Sequence, residues 1–260
     1  LIRGLFVRKD GTRGTSPVEA RKALAGLITP AGAFGARPGV LSGLTVTGTA
    51  GWAYSVAPGH LVTSRSATDG IVLSANDGAT TVSTSPAPGT GGRIDLIWVR
   101  HGDVDLGDAN SENGFGVTQG TVSASPVAPA LPAGAMELAR ATVMAGAAST
   151  SAAGVTLTNT ARRTGLRGGT VEVPSYAHLE TMLGDAPDGL QAWVAAGAEN
   201  GYYVRAGGAW RVLWSPPTEV SLSMVDGFVG TQGGGWNGMT LTVAGSTVTV
   251  NGLFTRGASW

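Results

Sequence analysis

The stretch GGRIDLIWVRHGD, from Gly91 to Asp103, places a carboxylate in the middle of an apolar run. The run is preceded by glycines and is rich in β-branched and aromatic residues, which is typical of a buried β-strand. Side chains alternate between the two faces of a strand, so Asp95 shares its face with Arg93 and otherwise with apolar residues. A carboxylate in such surroundings must find a partner or change its pKa. The pattern therefore predicts a structural ion pair between Arg93 and Asp95.

A catalytic role for Asp95 is the alternative. A carboxylate that acts as acid or base in glycoside hydrolysis needs a second group across a cleft. The nearest acids lie in the loop after the strand, at spacings that define no distance to Asp95. No nucleophile elbow, phosphate-binding loop or HExxH zinc motif occurs, and the chain has no cysteine. We therefore expect a protein that is not an enzyme and that has no cofactor.

The composition of the chain predicts a mainly β protein. Its 260 residues include 42 glycines, and only 13% of them are charged. This mixture favours many short strands joined by tight turns. Lys and Arg balance Asp and Glu at 17 each, which does not favour binding to nucleic acid. Because no apolar run reaches about 20 residues, we expect no insertion into a membrane.

The order of the patterns predicts three parts. Residues 1–165 are expected to form a domain like a β-sandwich or β-barrel, with one short helix at 16–28. Residues 166–217 are expected to combine a linker, a short helix and a small three-stranded module. Residues 218–260 are expected to begin a C-terminal β domain. The natural chain is expected to continue beyond Trp260.

The predicted helix at 16–28 carries its own start signal. Ser16 stands at the N-cap position, Pro17 at the first helical position and Glu19 three residues after the cap. This spacing is that of a capping box with the proline that helix starts favour. A helix this short needs packing against the rest of its domain to persist.

The acidic loop after the strand raises the question of a metal. Asp103, Asp105, Asp108 and Asn110 offer the hard oxygen ligands that Ca²⁺ prefers. Their order departs from that of an EF-hand loop, and the bidentate glutamate is missing. A solvated loop is the favoured interpretation, and Ca²⁺ at Asp103, Asp105 and Asp108 is the alternative. Three histidines stand at no metal-binding spacing: His60, His101 and His178.

Tryptophans concentrate in the last third of the chain. Trp210 and Trp214 are four residues apart in a predicted strand, so they should share a face that Trp193 reaches from the neighbouring strand. Indoles fill cores and also stack on sugar rings, and the core is the favoured place for these three. Trp236, in the run TQGGGWNGM, is expected to make a surface or carbohydrate contact. Packing of Trp236 into a partner subunit is the alternative.

Four segments occur in a characteristic order: GWAYSVAPGH, GGRIDLIWVR, PALPAGAMELARATV and YYVRAGGAWRVL. With them, the chain resembles the minor tail or upper baseplate proteins (tail fibre proteins) of siphophages, especially those of actinobacterial hosts. The Arg and Asp of the RIDL strand, here Arg93 and Asp95, recur in such proteins. The resemblance covers about residues 15–145 and, more weakly, 187–214.

The resemblance implies a non-enzymatic part of the virion, at the tail tip or baseplate, that is anchored through its N-terminal half. It thus implies that residues 1–165 form the tail or baseplate attachment domain and that residues 218–260 begin a domain of the receptor-binding kind. It implies a homotrimer, with other tail or baseplate proteins and a host-surface glycan or protein as partners. We therefore expect a fibre subunit that links the tail to host recognition. The alternatives are a tailspike depolymerase with glycosidase activity and an extracellular carbohydrate-binding module.

Overall fold

The structure is a computed structural model that describes residues 15–31, 35–65 and 68–215. Beyond residue 215 it describes the backbone of five short strands.

Strands dominate the described part of the chain, and both of its α-helices are short. The helices are α1 (Pro17–Ala25) and α2 (Ala177–Leu183). The strands before residue 160 are β1 (Pro30–Ala31), β2 (Gly35–Ala36), β3 (Gly39–Gly43), β4 (Val46–Gly48), β5 (Ala53–Val56), β6 (Gly59–Thr63), β7 (Val72–Asn76), β8 (Thr80–Ser83), β9 (Gly92–His101), β10 (Asn113–Gln119), β11 (Ala135–Met144) and β12 (Val155–Asn159). The later strands are β13 (Thr170–Val173), β14 (Gln191–Val194), β15 (Gly201–Ala206), β16 (Ala209–Trp214), β17 (Thr218–Ser221), β18 (Val229–Gly230), β19 (Thr240–Ala244), β20 (Thr247–Asn251) and β21 (Phe254–Thr255). The prediction of a mainly β fold with a short N-terminal helix is confirmed.

Helix α1 begins with the capping box that the sequence predicts. The Ser16 hydroxyl accepts a hydrogen bond from the Glu19 backbone at 3.3 Å, and the Ser16 backbone N–H donates to the Glu19 carboxylate at 2.9 Å. The helix ends at Ala25, short of the predicted limit at residue 28. Ala25 and Ile28 pack with buried residues of β2, β6 and the segment before β7, which supplies the support that a short helix needs.

Replacing Ser16 by alanine should remove this cap and lower the free energy of unfolding by about 1 kcal/mol. The change can be measured by urea unfolding followed by circular dichroism. Ser125→Ala is the matched control, because Ser125 is exposed outside any helix, and it should change stability by less than about 0.5 kcal/mol. Equal stability of the two variants would contradict the capping role.

Two antiparallel sheets, β4-β5-β8 and β10-β9-β11-β12, form the centre of the fold. Strand β8 lies beside β10 and strand β12 beside β4, so the two sheets close on one another as a barrel-like body. At one seam the Asn159 side chain accepts from the Val46 N–H at 2.7 Å and donates to the Val46 carbonyl at 3.1 Å. This amide takes the place of a strand partner at an otherwise open edge.

Apolar side chains from both sheets fill the space between them. The residues that these two sheets contribute to the buried cluster are Val46, Tyr54, Val56, Ile97, Val99, Leu138, Ala139, Ala141 and Val143. A third sheet, of order β3-β6-β7, adds Val40 and Leu61 to the same cluster, and Leu44, directly after β3, joins them. Strand β9 pairs with β10 on one side and β11 on the other, as expected of a buried central strand.

A smaller unit follows, in which α2 packs with a sheet of order β13-β14-β15-β16. The sequence predicts three strands here, and the structure adds a fourth, β13, which pairs in parallel with β14. The connection between these parallel strands contains α2, as parallel pairing requires a crossover. Leu179, Met182 and Leu183 of α2 are buried with Val171, Val173, Ala192, Val194, Tyr203 and Trp210 of the sheet.

Direct contacts join this unit to the N-terminal part. The Thr29 N–H donates to the Gly165 carbonyl at 2.9 Å. The Arg37 side chain is almost fully buried, donates to the Met182 carbonyl at 2.9 Å and pairs with Asp185 at 2.6 Å. The predicted domain boundary at residue 165 stays a prediction.

The described strands after residue 217 pair as two small antiparallel sheets. One has the order β17-β19-β20, and the other pairs β18 with β21. Strands β19 and β20 pair with each other across residues 245–246 as an antiparallel hairpin.

Candidate functional site

The Asp95 carboxylate lies in the interior of the barrel-like body and is completely buried. Its Oδ1 accepts a hydrogen bond from Arg93 Nε at 2.8 Å, so the predicted ion pair is present. Its Oδ2 accepts from the Tyr54 hydroxyl at 3.0 Å and from the Thr84 hydroxyl at 2.7 Å. Both oxygens are therefore engaged by groups from three separate segments of the chain.

The Arg93 guanidinium extends this network to the loop after β8. Its two terminal nitrogens donate to the carbonyl oxygens of Ser85, at 2.5 Å, and Pro86, at 2.6 Å. Burial, the charge of Asp95 and the hydrogen bond to it raise the pKa of the Tyr54 hydroxyl, against the smaller opposing effect of Arg93. Tyr54 therefore stays a neutral donor at physiological pH. The arrangement ties β5, β9 and the loop after β8 together.

The acidic loop is more structured than the sequence predicts. Asp103 is buried and pairs with Arg21 of α1 at 2.7 Å. Asp108 pairs with both Arg65 and Arg100. The interpretation of a solvated loop is therefore wrong for these two carboxylates, because arginines from three other segments enclose them.

The same arginines disfavour the binding of Ca²⁺ at this loop. An ion at this loop would have to displace guanidinium groups that already neutralise Asp103 and Asp108. The side chain of Asp105 lies outside the described residues. Within the described part of the chain, no group of three or more His, Asp or Glu side chains is placed to hold a metal ion.

The loop ion pairs predict a dependence of stability on pH. The hydrogen bond from Arg65 and that from the Asp103 backbone, with the charges of both arginines, lower the pKa of Asp108 despite slight burial. A carboxyl with a lower pKa in the folded state stabilises the fold above its unfolded pKa of about 4 and loses this effect as the pH falls through the folded value. Asp108→Asn should therefore be less stable than the natural protein at pH 7, with a smaller difference at pH 3. Thermal unfolding of both proteins between these pH values measures this, and a constant difference would contradict it.

A cavity of about 560 Å³ lies beside the start of β11. Its charged lining residues are Arg65, Glu137, Arg140 and Arg162. Glu137 is the single carboxylate among the described lining residues, and it is bonded to Arg140 at 3.2 Å and to the Thr160 hydroxyl at 2.6 Å. The pair of opposed carboxylates that glycoside hydrolysis uses is not found among the residues that line this cavity.

The sheet β13-β14-β15-β16 carries a cluster of aromatic side chains on the face that points away from α2. This cluster is here called the aromatic face: Trp193, Tyr202 and Trp214. Trp193 and Tyr202 are directly opposite on β14 and β15, with ring centroids 4.7 Å apart. Trp214 is opposite Tyr202 on β16, and its ring lies 6.4 Å from each of the other two. Tyr202 is 43% exposed and Trp214 51% exposed. The prediction of a core position is therefore wrong for Trp214.

The cause is a β-bulge. Tyr203 is opposite Val212 and Tyr202 is opposite Trp214, so Leu213 is an extra residue on β16. An extra residue reverses the alternation of side chains, which places Trp210 and Trp214 on opposite faces. Trp210 is buried on the α2 side, where its ring lies 5.6 Å from the guanidinium of Arg205.

Tyr202 was not predicted to belong to this cluster. The sequence YYVRA indicates it, because adjacent residues of a strand point to opposite faces, so one of the two tyrosines must point away from the core. Trp236 lies outside the described residues, and its predicted surface contact stays a prediction. The histidines are dispersed: His60 bonds the Ser42 hydroxyl, His101 the Asn113 side chain and His178 the Ser175 hydroxyl.

Comparison with protein-family models, with curated proteins and with solved structures finds no match to this chain. Among the described residues, neither helix has the length and apolar character needed to cross a membrane.

Proposed function

We propose that this chain is a structural component of a phage tail, a tail-tip or baseplate fibre subunit that links the tail to recognition of the host surface. The proposal rests on the structural role of the buried ion pair between Arg93 and Asp95. These are the residues of the RIDL strand on which the resemblance to siphophage tail proteins rests, and here they tie three segments of the barrel-like body together. A pair with this role belongs to a scaffold.

The remaining segments that carry the resemblance support the same proposal. GWAYSVAPGH includes β5 and PALPAGAMELARATV includes most of β11, both of which contribute to the core around β9. These two segments and the RIDL strand thus belong to one folded body, which suits an anchoring domain, while YYVRAGGAWRVL forms β15 and β16 of the smaller unit. The mechanism that follows is avidity: weak surface contacts repeated at fixed geometry on a trimer lengthen the residence of the particle on the cell.

Nothing among the residues that the structure describes favours the depolymerase alternative. Asp95 is fully buried and has hydrogen bonds to both oxygens, so it offers no free acid or base to a substrate. Glu137, in the described cavity, is bonded to Arg140 and Thr160.

The solution mass of the purified chain tests the fibre proposal. Light scattering on a sizing column should give about 78 kDa, three times the 26.0 kDa of one chain. A mass of 26.0 kDa that persists at high protein concentration would contradict a self-sufficient trimer.

A further inference from the structure

We propose that the aromatic face of the small sheet, formed by Trp193, Tyr202 and Trp214, is a binding site for an uncharged glycan. The proposal rests on the proposed function for the source of this glycan, the host surface. The ligand class is argued from the rings and from the charges beside them.

The geometry of the three rings suits stacking on sugar rings. The planes of Trp193 and Trp214 differ by 24°, so these two indoles present surfaces of similar orientation. The less polar face of a pyranose packs on such a surface through its C–H groups. Trp and Tyr combine a large apolar face with a polar group at one end, which suits a ligand that is also partly apolar and partly hydroxylated.

Two rings of this cluster are more exposed to water than aromatic side chains that only stabilise a fold. Tyr202 and Trp214 each leave more than two fifths of their surface in water, while the core of the same sheet lies on its other face against α2. Exposed apolar clusters with polar neighbours mark binding sites on soluble proteins.

The charges beside the rings indicate an uncharged ligand. Glu172 is opposite Trp193 in register, Gln191 lies two residues before Trp193, and Arg211 lies on β16; all three are exposed. The face thus carries one negative and one positive side chain with an amide, which can bond hydroxyl groups but has no excess of charge. Single-stranded nucleic acid also stacks on aromatic rings, but its sites are positively charged grooves. A neutral saccharide is the ligand that matches both the rings and the charge balance.

The test is a titration of the full chain with uncharged hexasaccharides of glucose, galactose, mannose and arabinose, followed by tryptophan fluorescence and by calorimetry. We expect saturable binding to at least one of them. Trp214→Ala should weaken this binding at least tenfold, as loss of a stacking ring does for other stacked ligands. Leu213→Ala is the matched control, because Leu213 is adjacent to Trp214, is 55% exposed and is not one of the three rings, and it should bind nearly as the natural chain does.

Three results would overturn the proposal. One is the absence of saturable binding to every hexasaccharide, and another is unchanged affinity in Trp214→Ala. The third is a different occupant: binding of oligo(dT) that Trp214→Ala abolishes, or self-association that the same change abolishes.

The composition and adsorption of phage particles distinguish failure of the glycan site from failure of the proposed function. Phage particles that carry Trp214→Ala should contain the chain at the normal level and adsorb less to cells. Normal content with normal adsorption would overturn the glycan site alone. Absence of the chain from natural particles would overturn the proposed function, whatever the titration shows.

Discussion

Replacing Asp95 by alanine is expected to lower the free energy of unfolding by about 3 to 5 kcal/mol. The change leaves the buried guanidinium of Arg93 without its counter-charge and removes the acceptor of the Tyr54 and Thr84 hydroxyls. Buried donors without partners add their own desolvation cost. Urea unfolding followed by circular dichroism measures the effect.

Asp77→Ala is the matched control, since Asp77 is an exposed aspartate in the turn between β7 and β8, and it should change stability by less than about 0.5 kcal/mol. If Asp95→Ala does not fold, Tyr54→Phe gives the second test, because it removes one donor to Asp95 and keeps the charge pair. A variant at Asp95 with unchanged stability and lost activity on a polysaccharide would refute the structural role.

The second large effect is expected at Arg37, which joins the N-terminal part to helix α2. Arg37→Ala should lower the free energy of unfolding by about 3 kcal/mol, because it removes charged hydrogen bonds from the Arg163 and Met182 carbonyls. It also removes the buried one of the two arginines that pair with Asp185. Burial alone would raise the pKa of Asp185, but the hydrogen bond and charge of Arg37, with the charge of Arg162, lower it below its usual value.

Arg162→Ala is the control for Arg37, because it contacts the same carboxylate of Asp185 at 3.1 Å from a side chain that is 56% exposed. Exposed ion pairs contribute at most about 1 kcal/mol, so this variant should unfold near the natural midpoint. Thermal unfolding by calorimetry compares the two. Equal losses at both positions would show that Arg37 contributes no more than a surface charge.

The sequence alone was sufficient to predict features that depend on residues close together in the chain. The capping box at Ser16 and the pairing of Arg93 with Asp95 follow from spacing within one helix or one strand, and both are present. The other partners of Asp95 were beyond reach, because Tyr54 and Thr84 meet it only when two sheets close on each other. Two of the arginines that pair with the acidic loop, Arg21 and Arg65, are likewise distant from it in sequence and reach it only in the folded chain.

The aromatic face shows a different limit. Trp210 and Trp214 would share a face in a regular strand, and the extra residue at Leu213 reverses that relation. A bulge depends on the register of the partner strand, which a single strand's sequence does not reveal. The parallel strand β13 was missed because its partner lies beyond a helix.

The most direct test of the central claim is to look for the chain in phage particles. Particles released from cells whose genome encodes it should be purified, their proteins identified by mass spectrometry, and the chain located with a gold-labelled antibody under the electron microscope. If the chain is a tail fibre subunit, we expect it among the virion proteins, with the label at the tail tip. Tailed particles that lack the chain, or that carry the label only on the head, would contradict it.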